Sequence, residues 1–206
     1  MSKLFIGNTD LSWFNFLAQR PELEEVNFWQ PSGRTGFRAI SLGELFLFRL
    51  KSPINKIAGG AYFEWADRVP LSAAWEIFQK GNGVDSLAEL QKKIEHYRGA
   101  SIVSPHVTEI GCIILRNAFF LEPQDWIDVP ADYALNVVNG KTYDVASATG
   151  AHLVQAISRL QLTPLESVLV AEEPRPYEVR GGFVETIGKS RIGQGAFRGM
   201  VLETYQ

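Results

Sequence analysis

Glu44-Leu45-Phe46-Leu47-Phe48-Arg49-Leu50, Lys51-Ser52-Pro53-Ile54-Asn55 and Lys56-Ile57-Ala58-Gly59-Gly60-Ala61-Tyr62-Phe63 form the stretch on which the fold turns. Apolar and aromatic residues fill both arms and a Pro/Asn segment separates them, so the stretch reads as a β-hairpin. Gly59 and Gly60 on the second arm mark a bulge, or a place where something approaches the backbone closely.

Working outward, Lys3-Leu4-Phe5-Ile6-Gly7 reads as a short strand, and Asn8-Thr9-Asp10 can cap a helix from Leu11 to about Arg20, before Pro21. Val26 to Arg34 mixes Phe28 and Trp29 with Pro31 and Gly33 and reads as a shaped loop. Beyond the hairpin, Pro70 opens a helix from Leu71 to about Lys80. A second runs from Ser86 to Arg98, with Leu87, Leu90, Ile94 and Tyr97 on its apolar face. A strand covers Glu109 to Ala118, and the core is expected to close near Tyr143 or Asp144. From Ala146 to Gln161 the pattern is helical, and Pro and Glu then collect between Thr163 and Tyr177 as in a surface linker. The expected class is α+β, with one domain over residues 1–145 and a helix plus linker over 146–206.

The 206 residues, 46% hydrophobic with 13 Phe, 6 Tyr and 5 Trp, suffice for a real core. A net charge of −3 does not announce a nucleic-acid binder by bulk electrostatics. A local basic strip would serve, and Arg34, Arg38, Arg49, Lys51 and Lys56 fall close together; an ordinary solvated strand face is the other reading. The single cysteine, Cys112, sits in an apolar strand and reads as core. No basic-then-apolar leader opens the chain, and no apolar run approaches the roughly 18 residues of a membrane span, so a cytoplasmic protein without membrane contact is expected.

Gly-rich phosphate loops, paired metal-ligand cysteines and a nucleophile elbow are absent. His96, His106 and His152 have no spacing that would bring two onto one metal. The expectation is a chain with no catalytic residues, no metal and no cofactor.

Phe28-Trp29-Gln30-Pro31-Ser32-Gly33, Phe37 to Phe48 and Ile57-Ala58-Gly59-Gly60-Ala61 resemble the EVE domain of the PUA superfamily, which has a Trp-led loop and a returning strand with a small-residue core. Phe5-Ile6-Gly7-Asn8-Thr9-Asp10 is similar to the segment where EVE and YTH domains place polar pocket residues. The likeness is close over the first third and looser beyond it. It implies a PUA-like curved mixed β-sheet or barrel decorated by helices, with a C-terminal linker extension. Arg191-Ile192-Gly193-Gln194-Gly195-Ala196-Phe197-Arg198, with Val201 to Tyr205, looks like the lead-in to an HNH nuclease domain of restriction endonucleases. The Cys- and His-containing metal motif that follows in that family is not in this sequence. The resemblance therefore implies the specificity half of a modification-dependent (type IV) restriction endonuclease, the cutting half being absent and a homodimer forming through that part.

Inspecting one base of a duplex means taking it out of the stack, at a cost of a few kcal/mol. Stacking on an aromatic face returns about 1–3 kcal/mol. Trp29 is the expected stacking face, and Trp65, by analogy with the second cage tryptophan of related readers, the opposing wall. Asn8, Thr9 and Asp10 would read the base edge, Gln30 and Ser32 would line the pocket, and Arg34, Arg38 and Lys56 would hold phosphates. Lys141-Thr142-Tyr143-Asp144 is a further DNA-facing loop. The partner so implied is double-stranded DNA carrying a modified base, a modified cytosine by resemblance. An RNA-binding PUA-like module reading single strands, and a small-molecule or structural β-domain, remain open. The plainer readings also stand: Phe28 and Trp29 plug the sheet, Trp13, Phe14 and Phe16 pack a helix inward, and Asn8 and Asp10 only cap that helix.

Overall fold

The computed structural model describes residues 2–32, 36–134 and 136–169, with side chains described as far as Leu160. Arg34, the linker beyond Leu169 and the HNH-like segment from Arg191 lie outside the described residues. The chain divides into two compact units, Met1–Val154 and Gln155–Gln206.

The α+β class holds. The first strands and helices are β1 (Lys3–Thr9), α1 (Leu11–Ala18), β2 (Glu25–Gln30), β3 (Leu45–Leu50), β4 (Lys56–Pro70) and α2 (Leu71–Phe78). After a 3-10 turn over Gln79–Asn82 come α3 (Leu87–Arg98), β5 (Glu109–Phe120), β6 (Ile127–Asp128), β7 (Gly140–Asp144) and α4 (Ala148–Leu169). One mixed sheet runs β2-β5-β4-β3-β1-β7, with β6 against β4; β1 and β3 are parallel, the other pairs antiparallel. Because β2 and β7 end the pairing path, the sheet is open.

Its curl follows from ring contacts. Phe28 of β2 lies 4.8 Å from Phe46 of β3, ring centre to ring centre. With β5 and β4 between them, three inter-strand steps of about 4.8 Å would hold them roughly 14 Å apart on a flat sheet. The sheet therefore bends round its own aromatic core, where Phe46 and Phe48 are fully buried.

Gly59 and Gly60 permit that bend. A Cβ at Gly59 would lie 2.3 Å from the Phe119 carbonyl oxygen, and one at Gly60 would lie 2.8 Å from that of Phe46. The β4–β5 register shifts just beyond, between Gly60 and Tyr62. Bulge and close approach are both present, as the sequence implied.

Three segments depart from expectation. Up to Gln30, the stretch read as a shaped loop is a strand, pairing Val26 with Leu115, Phe28 with Ile113 and Gln30 with Gly111. Pro31 and Gly33, which carried the loop reading, lie just beyond the strand; inside it the Asn27 side chain is wholly buried and donates to Asn82 Oδ1 at 2.9 Å, a partner the local sequence cannot reveal. Lys141 to Asp144, read as a DNA-facing loop, is strand β7 against β1, because Tyr143 is needed inside the core. The helix expected to end at Gln161 runs on to Leu169.

Candidate functional site

A cleft of about 850 Å³ opens where β1 ends, β2 ends and α3 ends. Its floor is apolar: Trp13, 2% exposed, and Phe28, 9% exposed, pack edge to face at 5.5 Å. Trp13 and Phe14 thus belong to the core, as helix spacing indicated.

One wall is aromatic. The indole N–H of Trp29 donates to the Asn82 carbonyl at 2.9 Å, fixing the ring on the strand edge. Tyr97, from the last turn of α3, meets it at 5.9 Å with the planes inclined by 53°. The two rings stand side by side at an angle, so each offers its own face. Trp65 does not line this cleft; it stands on β4 opposite Ile114. The opposing wall expected of Trp65 is not supplied by that residue, and the second aromatic ring of the cleft wall is Tyr97, beside Trp29.

At the foot of that wall, Asp10 accepts the Tyr97 hydroxyl hydrogen and pairs with Lys51 at 2.9 Å. Lys51 also reaches the Tyr97 oxygen at 3.2 Å and lies 4.3 Å above its ring. Burial works against the Lys51 ammonium, but the hydrogen bond and charge of Asp10, with Tyr97 behind them, hold its pKa above the ordinary lysine value. Burial first, and then the hydrogen bond to Asp10, push the Tyr97 phenol upward as well. Both shifts keep the proton on Lys51 and on Tyr97. Although its backbone is set for capping, Asp10 makes no side-chain cap to α1; its carboxylate is spent on this cluster.

Asn8 also lines the cleft, but its amide is fully engaged. Oδ1 accepts from Arg49 Nη1 and the Tyr133 hydroxyl, both at 2.8 Å. Nδ2 donates to the carbonyls of Val137 at 2.5 Å and Val138 at 3.1 Å. Every donor and acceptor of the amide has a partner, which leaves none to read a ligand. Asn8 is a clamp: it tethers the loop that brings Val138 and Asn139 to the cleft and gives the buried Arg49 an acceptor.

Other polar groups are unengaged. The hydroxyls of Thr9 and Ser32 and the amides of Gln30 and Asn139 line the cleft without a side-chain hydrogen bond to another described residue. The structure thus brings Asn8, Thr9, Asp10, Trp29, Gln30 and Ser32 to one cavity. Of the expected phosphate contacts, Lys56 is ion-paired with Asp128 and Lys141 with Asp132, the latter at 2.7 Å. Arg38 is exposed, and none of the three lines the cleft.

Sequence reasoning missed Tyr97, Arg68, Arg98 and Glu109, all of which line the cavity. Tyr97 matched the apolar face of α3, and the other three are unremarkable surface residues of their own elements. No local signal distinguishes them, because the fold alone brings them to Trp29.

No model of a known protein family matches the sequence, and no curated protein matches it either. Among solved structures, the ASCH protein of Zymomonas mobilis is similar at 12% identity, over 73% of this chain and 94% of that one, with a TM-score of 0.48. A tyrosine-to-phenylalanine mutant of it aligns at 12% identity over 73% and 96%, TM-score 0.48. A serine-to-alanine mutant aligns at 10% over 74% and 94%, TM-score 0.44. Likeness at this level carries no argument about activity. Among the described residues no three His, Cys, Asp or Glu side chains gather as a metal site would need, and no helix is long and apolar enough to cross a membrane.

Proposed function

We propose that the cleft receives a single nucleobase and that the protein is a non-catalytic DNA-recognition module. In this reading a modified cytosine is extruded from duplex DNA and stacks on the face of Trp29, beside Tyr97. Its edge meets Gln30, Thr9 and Asn139, and the apolar floor of Trp13 and Phe28 receives a substituent on the ring. The module directs an HNH endonuclease half, of the modification-dependent type, that works in the cytoplasm and pairs two copies through the nuclease part.

The observation that carries the reading is the conjunction of a built aromatic wall with hydroxyl and amide groups left unengaged beside it. A cavity of about 850 Å³ is large enough for a nucleotide. A single-stranded RNA segment is the second reading. A single strand needs no extrusion of its base, and the duplex reading loses two of its expected phosphate contacts, because Lys56 and Lys141 are paired with Asp128 and Asp132.

The test is binding to matched duplexes carrying cytosine, methylcytosine or hydroxymethylcytosine at one position, at fixed moderate salt, with the matching single strands alongside. Preference for a modified duplex, lost in Trp29→Ala, is the expected result. Equal weak binding to every duplex, with tighter binding to single-stranded RNA, would favour the second reading.

A further inference from the structure

We propose that Arg98 and Arg68 form a phosphate subsite at one end of the cleft, which holds the phosphate of the nucleotide whose base lies against Trp29. The assignment of that phosphate to a nucleotide rests on the base-binding reading; the anion site itself does not.

The two ends of the cleft differ in charge. At one end Lys51 and Asp10 cancel and Tyr97 is neutral. At the other, two guanidiniums converge on one acidic residue: Arg68 Nη2 pairs with the Glu109 carboxylate, while Arg98 Nη2 donates to the Glu109 backbone carbonyl. Arg98 Nε donates to the Pro31 carbonyl at 2.7 Å. Arg98 is thus held in place by carbonyls, and among the described residues no carboxylate pairs with it. Two cations and one anion leave a net positive charge at this end, in a chain whose net charge is −3.

Placement near the C-terminus of α3 gives Arg98 a favourable helix-dipole interaction, but that needs none of its remaining N–H donors. Those donors form a planar fork suited to phosphate oxygens. Neighbouring groups suit the same ligand. Gln30, Gly111 and Arg68 stand in register across β2, β5 and β4, so their side chains share one face of the sheet. Gly111 contributes no side chain, and a Cβ there would press on the Gln30 amide at 3.3 Å. The row therefore offers an amide, a gap and a guanidinium, with the Ser32 hydroxyl at the rim.

The experiment is an NMR titration of the full chain, following arginine Nε–H and backbone signals, with 5-methyldeoxycytidine, its 5′-monophosphate and inorganic phosphate as separate probes. The monophosphate is expected to bind about tenfold more tightly than the nucleoside, as charge-assisted hydrogen bonds imply. That advantage should vanish in Arg98→Gln and grow in Glu109→Gln, which removes the competing charge while keeping an acceptor for Arg68. The Glu109→Gln arm carries the test if Arg98→Gln does not fold. Equal affinities for nucleoside and monophosphate overturn the subsite and leave the base reading intact. A phosphate-induced shift of Arg98 Nε–H without nucleoside binding supports the subsite and removes the base reading. An advantage that persists in Arg98→Gln, or no response to any probe, overturns the proposal.

Discussion

Replacing Asn82 by alanine removes the support beneath Trp29, and the structure sets the size of the effect. Asn82 is wholly buried. Its Nδ2 donates to the Ala74 carbonyl at 3.0 Å and the Gln79 carbonyl at 2.9 Å, and its Oδ1 accepts from Asn27 Nδ2 at 2.9 Å. Two buried hydrogen bonds and one part-buried, at about 1 kcal/mol net each, give about 3 kcal/mol. Three facts reduce this: the Ala74 carbonyl lies within α2, where helical bonding serves it; Asn27 Nδ2 keeps its contact with Cys112 Sγ at 3.2 Å; and Gln79 is exposed, so its carbonyl can turn to water. The balance is about 2 kcal/mol, or a melting point roughly 4–8 °C lower for a unit of this size. Trp29 bonds to the backbone carbonyl of Asn82, so the acceptor survives but the turn carrying it loosens. Urea unfolding measures the first effect, and hydrogen exchange of the Trp29 indole N–H the second. A loss below about 1 kcal/mol with unchanged indole protection would refute the idea that Asn82 organises this edge.

Trp29→Ala is expected to weaken oligonucleotide binding by about 1–3 kcal/mol, as loss of a stacking face does, whereas Trp65→Ala leaves it unchanged; fluorescence anisotropy on the same duplex separates them. Asn8→Ala should act on stability rather than selectivity, costing about 3 kcal/mol in denaturant unfolding because the buried Arg49 loses an acceptor, and a preserved preference among cytosine variants in the folded fraction is the check. Burial pushes the Cys112 thiol from 9.0 up to about 12, despite the Asn27 hydrogen bond, so a thiol reagent at pH 8 should label the protein only on unfolding. With the folded value raised, the stabilisation tied to this thiol is complete below the unfolded value and is lost as pH rises from 9.0 toward about 12; unfolding of Cys112→Ala should show a weaker decline across that window. Gly59→Ala sets a methyl against the Phe119 carbonyl and should cost more than about 3 kcal/mol, or prevent soluble expression, in contrast to the open position Gly36.

The sequence by itself determined the conformations whose signals are local. Paired aromatic arms around Pro53 and Asn55 made the β3–β4 hairpin, and Gly59 and Gly60 could only stand where backbone comes close. Ser86 caps α3 by accepting from the Glu89 N–H at 3.2 Å, and Gly99 closes it at φ 65°, both signals that act within one turn. Trp29, Gln30 and Ser32 were legible as candidates because their residue types suit a ligand wherever they fall. Tertiary structure alone decided what they face. Pro31 and Gly33 suggested a loop where β2 forms, and Asn82 supplies the partner that lets Asn27 be buried in that strand. Asn8 and Asp10, alike in sequence as caps or pocket groups, proved to be a clamp engaged by four partners and one member of an ionic cluster. Tyr97, and not Trp65, is the second ring of the cleft wall, and Arg68 and Arg98, not Lys56 or Lys141, came to the cleft. The reason is physical: alternation and capping act over a few residues, whereas the cleft is made from the ends of strands and a helix distant in the chain. These meet only because a glycine-permitted curl bends the open sheet around Phe28, Phe46 and Phe48.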